Sequence, residues 1–456
     1  MDYLLGILGP LFWGLLLLSV IVFLHEGGHF LAARACGVRV SEFFLGLPCK
    51  FNINHVSRRM GTKFGVTPLL LGGYAAICGM DPTPAPWGSR VLALVHRHGT
   101  ISAWDAHREL GLSADELSEA VYLLQDWGSI TTEEIEPSAD HPEIEGFSYV
   151  LRSVPRDAQG NTLFDGRLFD RANATQAGEV WEPPMDDEAF YAQERSRTYQ
   201  GKGFWKRAFM LVAGIAVNIV TGFLFIVMVY SVIGVDITIN TNELGAVTAG
   251  SPADQAGLHG GDSIISIDGV ETDSWLAILD ELDAFEAGDT VQIEFESADG
   301  EIKTVPVELD DAGMIGISVK EECVRLNPFD SCSIAVENIV LTARSIASLI
   351  NPQHTKEVLD NSTSVVGISI LSAQAASAGV ASFLNFAALI SFSLGFMNLL
   401  PIPPLDGGKL VIEIVQAILH REVSLKVQTI LSFIGVGLFM LLFIYMLRAD
   451  IIRFFL

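Results

Sequence analysis

The sequence predicts a multi-pass α-helical membrane protein that also carries domains exposed to water. Half of its 456 residues are hydrophobic, yet the formal net charge is −26. These two facts are compatible when apolar spans alternate with acidic segments. Uncharged stretches long enough to cross a bilayer as helices lie at 3–24, 208–235, 380–402 and 427–447. The lipid bilayer is therefore an expected partner.

The distribution of Lys and Arg predicts the orientation of these spans. Eighteen of the 28 basic residues lie between the first and second spans, against five, three and two in the segments that follow. Because segments rich in Lys and Arg tend to stay in the cytoplasm, residues 37–203 are expected there. The N-terminus and the segment between the second and third spans are then outside.

The first span ends in His25-Glu26-Gly27-Gly28-His29. Residues four apart share one face of a helix, so both imidazoles can reach one metal ion. Glu26 would stand beside them, where it can take a proton from a water on that metal. Ionisable side chains at membrane depth are costly and usually functional. That favours a metal site over two hydrogen-bonded histidines at a helix end.

The third span ends in Asn398-Leu-Leu-Pro-Ile-Pro-Pro-Leu-Asp406. Its prolines stop a helix and bring Asp406 near membrane depth, where a carboxylate needs a cation. The alternative is an interfacial Asp at a helix end. The first and third spans cross in the same direction, each over about twenty residues, so His25, His29 and Asp406 are expected at the same depth.

Two imidazole nitrogens and one carboxylate oxygen, with a fourth position left for water, form the ligand set of a catalytic zinc site. Zinc lowers the pKa of such a water and polarises a substrate carbonyl. Glu26 would accept the proton and later deliver it to the leaving amine. The sequence therefore predicts Zn2+ held by His25, His29 and Asp406, with Glu26 as the catalytic residue.

Residues 65–79 are apolar, carry glycines at both ends and are too short to span a bilayer. Gly and Pro favour turns between short strands, and strands at membrane depth are tolerated only against protein or a wet cavity. We expect a re-entrant β-hairpin beside the metal site within residues 50–81. The alternative is an interfacial loop.

A compact pattern follows the Pro-rich linker at 82–88. Helix candidates at 89–98, 101–110 and 113–127 precede strand candidates at 129–134 and 147–152. Ser113 and Glu116 predict a capping box at the third helix. This order of elements resembles a winged helix.

The charge of residues 85–200 argues against DNA as the partner of this insert. The segment holds 21 acidic and nine basic residues, so no nucleic acid is expected, and an unknown protein or ligand is the expected partner. Its second part, residues 153–200, is polar and poorly periodic, and is expected to be a flexible tether.

The second span carries Asn218 as the one strongly polar side chain in its middle. An interhelical hydrogen bond and a role at the active site are both open for this residue.

Residues 237–320 resemble a PDZ domain. The resemblance is carried by Gly250-Ser-Pro-Ala-Asp-Gln-Ala-Gly-Leu258 and Gly261-Asp-Ser-Ile-Ile-Ser-Ile-Asp-Gly269, with a helix expected at 275–285 and a peptide-binding strand at 313–319. Between 235 and 360 there are 25 acidic and five basic residues. We therefore expect a size or charge filter; micromolar affinity for a carboxylate-terminated peptide would contradict this. Cys323 and Cys332 could pair or stay free.

In order, the chain is expected to contain a first transmembrane helix with the H-E-x-x-H motif (1–36), a membrane-associated β-hairpin region (50–81), a winged-helix-like cytoplasmic insert (88–152), a flexible tether (153–200), a second transmembrane helix (204–235), a PDZ-like domain (237–320), interfacial helices (333–378), a third transmembrane helix with Asp406 (379–410) and a fourth (427–448).

Together these features resemble the site-2 protease family of intramembrane zinc metalloproteases, and within it the regulator of sigma-E protease branch. The resemblance rests on the motif at 25–29, Gly72-Gly73-Tyr74, the run from Phe204 to Asn218, the PDZ-like domain, and the run from Asn398 through Pro401 and Pro403 to Asp406.

The resemblance implies a protein of the bacterial inner or plasma membrane that hydrolyses a peptide bond within a transmembrane segment of its substrate. Substrates of this family include anti-sigma factors and remnant signal peptides. It also implies that substrate is held by Asn398, Pro401 and Pro403 and by the hairpin residues Gly72 and Gly73. Asn218 would help to position substrate or the developing oxyanion.

The sequence departs from the family pattern in three ways. Ile215 stands where the family has Pro, only one PDZ-like domain is evident, and the insert at 82–197 has no counterpart in the common pattern.

Two other functions compete with the protease. One is a non-proteolytic membrane receptor or scaffold that uses its PDZ-like and winged-helix-like modules. Such a protein has usually lost one of the four residues His25, Glu26, His29 and Asp406, all of which are present in this chain. The other, a metal transporter, would need several polar groups along a path, and the sequence has one cluster.

Overall fold

The computed structural model describes residues 2–80, 86–134, 147–349, 351, 353, 355–421 and 423–455. The chain forms two compact units. The first contains residues 1–225 and 335–456, and the second contains Ile226–Ile334.

The helices are α1 (Asp2–Ala35), α2 (Gly88–His98), α3 (Ala103–Leu110), α4 (Ala114–Asp126), α5 (Asp187–Ser196), α6 (Phe204–Met228), α7 (Pro252–Gln255), α8 (Trp275–Leu282), α9 (Pro328–Ser348), α10 (Thr355–Asn361), α11 (Val365–Ser377), α12 (Val380–Asn398), α13 (Asp406–Leu419) and α14 (Leu425–Phe455). The strands are β1 (Val40–Leu45), β2 (Ile53–Val56), β3 (Lys63–Val66), β4 (Gly73–Ile77), β5 (Thr100–Ser102), β6 (Ile130–Glu134), β7 (Tyr149–Ser153), β8 (Val235–Thr238), β9 (Leu244–Val247), β10 (Ser263–Ile267), β11 (Val270–Glu271), β12 (Thr290–Glu296), β13 (Ile302–Glu308), β14 (Ile317–Val319) and β15 (Glu321–Val324).

Within the described ranges, four helices are long and apolar enough to cross a membrane: Leu8–Ala35, Phe204–Ile233, Val380–Asn398 and Leu425–Phe454. This confirms the predicted fold class of a multi-pass α-helical membrane protein. Few side chains of the last helix are buried in the protein, and Phe433 and Leu441 are 73% and 68% exposed. Large apolar side chains in such a position are suited to contact with lipid.

The short apolar helix α11 does not fit the interfacial location that we expect for residues 333–378. It packs along α1 so closely that a Cβ on Gly14 would lie 2.1 Å from Oγ of Ser369. Gly14 belongs to the first span, so α11 lies against a membrane helix. Its uncharged, apolar sequence suits that position.

A hairpin lies within residues 50–81 as predicted, but β2 and β3 form it by antiparallel pairing, and the apolar stretch 65–79 does not. The strands of this region belong to a four-stranded sheet in the order β2-β3-β1-β4. Strand β1, which lies outside the predicted range, separates β3 from β4: it pairs in parallel with β3 and antiparallel with β4. Strand β4 is thus an edge strand, and its first residues pack against α1.

The winged-helix-like insert contains α2, α3 and α4 and a three-stranded sheet in the order β5-β7-β6. Ser113 and Glu116 form the predicted capping box at the start of α4. Apolar faces of the three helices and the sheet share one core, formed by Val91, Leu92, Val95, Leu117, Leu124, Ile130 and Leu151 among others. Residues 135–146 lie outside the described part of the chain.

The prediction of a flexible tether at 153–200 is wrong. Trp181 and Phe190 belong to the core of the insert, and Glu194 on α5 is fully buried. Four charged residues of this segment, Arg156, Asp165, Glu194 and Arg197, form a buried ion cluster with Arg39. Such a cluster leaves no apolar periodicity in the sequence, since charge pairing replaces hydrophobic packing.

This ion cluster joins the insert to the segment that follows α1. Arg39 donates to Glu194 at 2.7 Å and to Asp165 at 2.7 Å, and Arg156 donates to Glu194 at 2.8 Å. Arg197 completes the set by pairing with Asp165 at 2.9 Å. Burial alone would raise the pKa of the Glu194 carboxyl, but Arg156 and Arg39 hold it well below its usual range. We call these five residues the Arg39 cluster.

The second unit contains a four-stranded sheet in the order β11-β10-β12-β13 and two strand pairs, β14-β9 and β15-β8. Its core includes Ile264, Ile267 and Ile293, and α8 lies where the PDZ-like pattern predicts a helix. Cys323 and Cys332 are free thiols.

Candidate active site

Helix α1 places two imidazoles on one face, as the spacing predicts. The Nε2 atoms of His25 and His29 lie 3.2 Å apart, and the two residues are 5% and 6% exposed. His29 Nδ1 lies 2.8 Å from the carbonyl oxygen of Met210. A carbonyl only accepts hydrogen bonds, so Nδ1 carries the proton and Nε2 keeps its lone pair for a metal.

Asp406 reaches these imidazoles from the first turn of α13. Its Oδ2 lies 3.1 Å from His25 Nε2 and 3.0 Å from His29 Nε2. The chain arrives there from the end of α12 through the segment that contains Pro401 and Pro403, and it turns tightly: a Cβ on Gly407 would lie 2.3 Å from the carbonyl oxygen of Leu399.

The three ligand atoms form a triangle with sides between 3.0 and 3.2 Å. Tetrahedral zinc with bonds of about 2.0–2.1 Å separates its ligand atoms by about 3.3 Å. The residues therefore fit a zinc ion with three protein ligands and an open fourth position, after an expansion of a few tenths of an ångström. A closed structural site would instead offer four protein ligands.

Glu26 belongs to the same group. Ligand atoms of His25, Glu26 and His29 all lie within 4.8 Å of one another. Glu26 is half-buried, so its carboxylate adjoins the imidazoles without being closed off from the surroundings. That is the position required of a general base that serves a water in the open coordination position.

Helix α6 packs directly against the part of α1 that carries both histidines. A Cβ on Gly28 would lie 2.6 Å from the carbonyl oxygen of Ala213, and one on Gly214 would lie 2.4 Å from His29 Nε2. This close approach brings Asn218 Nδ2 to 3.3 Å from His25 Nδ1. Ile215 is buried and does not interrupt α6.

The residues predicted to bind substrate lie on elements that adjoin the metal ligands. Gly72 precedes β4 and Gly73 is its first residue. A Cβ on Gly72 would lie 3.1 Å from Val22 of α1, and one on Gly73 would lie 3.5 Å from Cα of Phe23. Asn398 is the last residue of α12, and Pro401 and Pro403 follow it before Asp406. Asn218 differs from these residues, because its side chain is in contact with a candidate metal ligand.

Sequence reasoning missed the residues that hold the C-terminal half of α13 in place. Glu413, two turns beyond Asp406, accepts a hydrogen bond from Tyr199 Oη at 3.2 Å and pairs with Arg207 Nη2 at 3.1 Å. Burial raises the pKa of the Glu413 carboxyl, and Arg207 opposes that rise. The signal was an acidic residue between Ile412 and Ile414, seven positions after Asp406 on the same helix.

A cavity of about 1400 Å3 lies between the insert and α13. Pro403 and Lys409, on either side of Asp406 in the sequence, line one part of it, and Ser89, Trp127 and Tyr191 of the insert line another. Its mixed polar and aromatic lining suits water or a polar segment of chain.

Comparison with known proteins identifies zinc metalloproteases, in agreement with the ligand set described above. The model of peptidase family M50 matches residues 13–442. The zinc metalloprotease RasP of Shouchella clausii is 28% identical over 455 residues, covering 96% of this chain and 97% of that protein. The regulator of sigma-W protease RasP of Bacillus subtilis is 27% identical over 462 residues, covering 97% and 98%.

A match to a solved structure concerns a smaller part of the chain. The PDZ domain of an SdrC-like protein from Listeria monocytogenes is 27% identical and covers 19% of this chain and 93% of that one, with a TM-score of 0.16. So low a TM-score does not establish a shared fold.

Proposed function

The chain belongs to peptidase family M50, and from this premise we propose that it is an intramembrane zinc endopeptidase. It hydrolyses a peptide bond within a transmembrane segment of a membrane-protein substrate. The observation that carries the proposal is the meeting of His25, His29 and Asp406 at 3.0–3.2 Å. His25 and His29 lie on a helix that is long and apolar enough to cross a membrane.

In this proposal His25, His29 and Asp406 hold the zinc ion. When bound, the ion supplies Lewis-acid polarisation of the substrate carbonyl and lowers the pKa of water towards neutrality. Glu26 takes the proton from the attacking water and gives it to the nitrogen of the departing amine. The buried imidazoles and α6 exclude bulk water from one side, and the cavity beside Lys409 can supply the water that hydrolysis consumes.

The proposal predicts that activity and metal are lost and regained together. Removal of zinc from the purified protein with a chelator should abolish cleavage of a model transmembrane substrate, because the residues alone do not activate water. Addition of one equivalent of zinc should restore it. Zinc content and cleavage are measured on the same samples. A scaffold without proteolytic activity would show no cleavage at any zinc content, and that result would overturn the proposal.

We propose that the substrate is held as an extended strand against β4. Strand β4 is the edge of its sheet, and edge strands can add a peptide through backbone hydrogen bonds. Gly72 and Gly73 bring the start of this edge close to α1. Asn398, Pro401 and Pro403 would contact the unwound substrate from the opposite ligand-bearing segment.

Strand addition predicts a period of two in cross-linking. In a chain freed of its native cysteines, Ala75→Cys should form disulfides with alternate positions of a cysteine-scanned substrate, since successive side chains of a strand point to opposite faces. Mass spectrometry of the cross-linked products gives the pattern. A period near 3.6 would show that the substrate stays helical at β4 and would contradict the proposal.

The expected substrates are bacterial membrane proteins of the anti-sigma factor or remnant signal peptide type. The name of the Bacillus subtilis relative, a regulator of sigma-W protease, supports the first class.

We further propose the orientation derived from the basic residues, with residues 37–203 in the cytoplasm and the PDZ-like domain outside. Labelling of single cysteines from one side of sealed vesicles tests this topology, and labelling of the insert from outside would refute it.

We also propose that the insert controls the cytoplasmic side of the site, with an unknown protein or ligand as its partner. The Arg39 cluster connects it to the segment that follows α1, and Arg34 on α1 donates to the carbonyl oxygen of Phe164 at 2.6 Å. On the other side, insert residues line the cavity that Lys409 of α13 also lines. The insert therefore adjoins both elements that carry candidate metal ligands. Deletion of residues 85–197 would leave the buried Arg39 without partners, so single substitutions test the role better.

Glu194→Gln should destabilise the protein by about 3–5 kcal/mol, because the buried guanidinium groups of Arg39 and Arg156 lose the negative charge that both of them pair with. Glu188→Gln on the same helix is the control. Glu188 is exposed, and the amide oxygen of Gln can still accept the hydrogen bond from Ser89 Oγ, so a change below about 0.5 kcal/mol is expected. The Glu194 contribution is present above the ordinary pKa of 4.5 and is lost as pH falls towards the lower folded value. Thermal melting as a function of pH measures both.

Cleavage assays on the same two variants test the control function. If the insert acts through the Arg39 cluster, Glu194→Gln changes the rate or the substrate range while zinc content stays constant. An unchanged rate and range in a variant with the expected loss of stability would refute the proposed control.

A further inference from the structure

Asn218 is an unusual side chain for the middle of a membrane helix. It is fully buried, its Nδ2 lies 3.3 Å from His25 Nδ1, and its Oδ1 has no hydrogen-bond partner among the described residues. A buried amide oxygen without a donor is destabilising. The arrangement is therefore incomplete as it stands.

The metal site determines which atom Asn218 should present to His25. His25 Nε2 is one corner of the ligand triangle, so its lone pair is the one available to a metal. A neutral imidazole with Nε2 ligated carries its proton on Nδ1 and donates from there. The Nδ2 group of an amide is also a donor, so two donors would face each other at 3.3 Å.

Rotation of the Asn218 amide by about 180° removes this conflict. The oxygen then faces His25 Nδ1 and accepts its proton, and the same oxygen is no longer without a partner. Oxygen and nitrogen of an amide occupy nearly equivalent positions, so the rotation needs little space.

The second histidine provides an internal comparison. His29 Nδ1 donates to the carbonyl oxygen of Met210, also on α6, at 2.8 Å. Helices α1 and α6 thus meet so that residue 210 faces residue 29 and residue 218 faces residue 25. One histidine is held by a backbone carbonyl. For Nδ1 of the other, the described part of the chain offers the side-chain amide of Asn218. Histidines that bind metal almost always donate their second nitrogen to such an acceptor.

We propose that Asn218 is a positioning residue for the metal site, whose side-chain oxygen accepts the Nδ1 proton of His25 and fixes the ring and tautomer that ligate zinc. This rests on the proposed zinc site. It replaces the expectation that Asn218 contacts substrate or the oxyanion, because a side chain that is fully buried behind His25 holds the ligand and not the substrate. Ser391 Oγ on α12 donates to the backbone carbonyl oxygen of Asn218 at 2.8 Å, a contact between helices that does not involve the side-chain amide.

The test compares zinc affinity in three variants of the full-length protein, measured by competition with a chromophoric chelator. Asn218→Leu keeps the size and removes the acceptor, and should weaken zinc binding about 10–100-fold. Asn218→Asp keeps the acceptor and should bind zinc at least as tightly as the wild type. Ser391→Ala removes a hydrogen bond between α6 and α12 without touching His25, and should stay within twofold.

A second readout follows the geometry of the ion. Cobalt(II) in place of zinc should show altered ligand-field absorption in Asn218→Leu and the wild-type spectrum in Ser391→Ala. Wild-type affinity in Asn218→Leu, or an equal loss in Ser391→Ala, would overturn the proposal in favour of simple helix packing. If Asn218→Leu fails to fold, weak zinc binding by a folded Asn218→Asp also overturns it. A wild-type protein without zinc would instead refute the metal site itself.

Discussion

Glu26→Gln is expected to reduce cleavage of a transmembrane substrate by about 10²–10⁴-fold, the range that general acid–base catalysis supplies. The amide is nearly isosteric with the carboxylate but cannot accept the proton of the attacking water. It is not one of the three proposed ligands, so zinc content should remain near that of the wild type. Cleavage is followed by gel or mass spectrometry, and zinc by elemental analysis of the same preparation.

The combination of lost activity and retained zinc is the informative result. Glu188→Gln removes one negative charge from an exposed position and should keep the wild-type rate, which controls for net charge. Substantial cleavage by Glu26→Gln would assign the general base to another group. Loss of zinc in that variant would instead make Glu26 a ligand, and the proposed set of three ligands would be wrong.

Asp406→Ala is expected to lose bound zinc, in contrast to Glu26→Gln, which should retain it. Removal of one of three protein ligands should weaken zinc binding by more than the roughly 100-fold that loss of an outer contact can cost, and activity should be lost with it. Chelator competition measures the affinity, and thermal melting establishes that the variant is folded.

Asp406→Ala also tests whether the third ligand has been identified correctly. Wild-type zinc affinity in a folded Asp406→Ala variant would contradict the ligand set and leave only His25 and His29. In that case the 3.0 and 3.1 Å contacts would be ordinary hydrogen bonds between α1 and α13. Glu26→Gln serves as the matched comparison, since it changes a carboxylate at the same site that is not proposed to bind metal.

The four spans and the pair of histidines could be predicted because their signals are local. Hydropathy over some twenty residues identifies a span, and a spacing of four places two side chains on one helix face. The approach of Asp406 to His25 is not local, since the two residues are 381 positions apart. It was predictable because the first and third spans cross the membrane in the same direction and over a similar length, so their ends reach the same depth.

The errors concern contacts that no local pattern encodes. Strand β1 is short, and nothing in its sequence shows that it pairs with both β3 and β4 and so separates the expected hairpin. The polar residues of 153–200 suggest disorder by composition, but Arg39, more than a hundred positions earlier, supplies the charge that orders them. Met210 accepts the His29 hydrogen bond through its backbone carbonyl oxygen. Every residue has such an oxygen, so the sequence does not indicate which one is used.

The long separation between the ligands has a consequence for biosynthesis. His29 and Asp406 are 377 residues apart, and a ribosome that adds about 5–20 residues per second needs about 20–75 s to pass from one to the other. During that interval the nascent chain already has its first helix but lacks Asp406, the proposed third ligand. If Asp406 completes the zinc site as proposed, the chain is expected to be proteolytically inert while it sits among the other unassembled helices at the insertion machinery, and to gain activity only after residue 406 has been added.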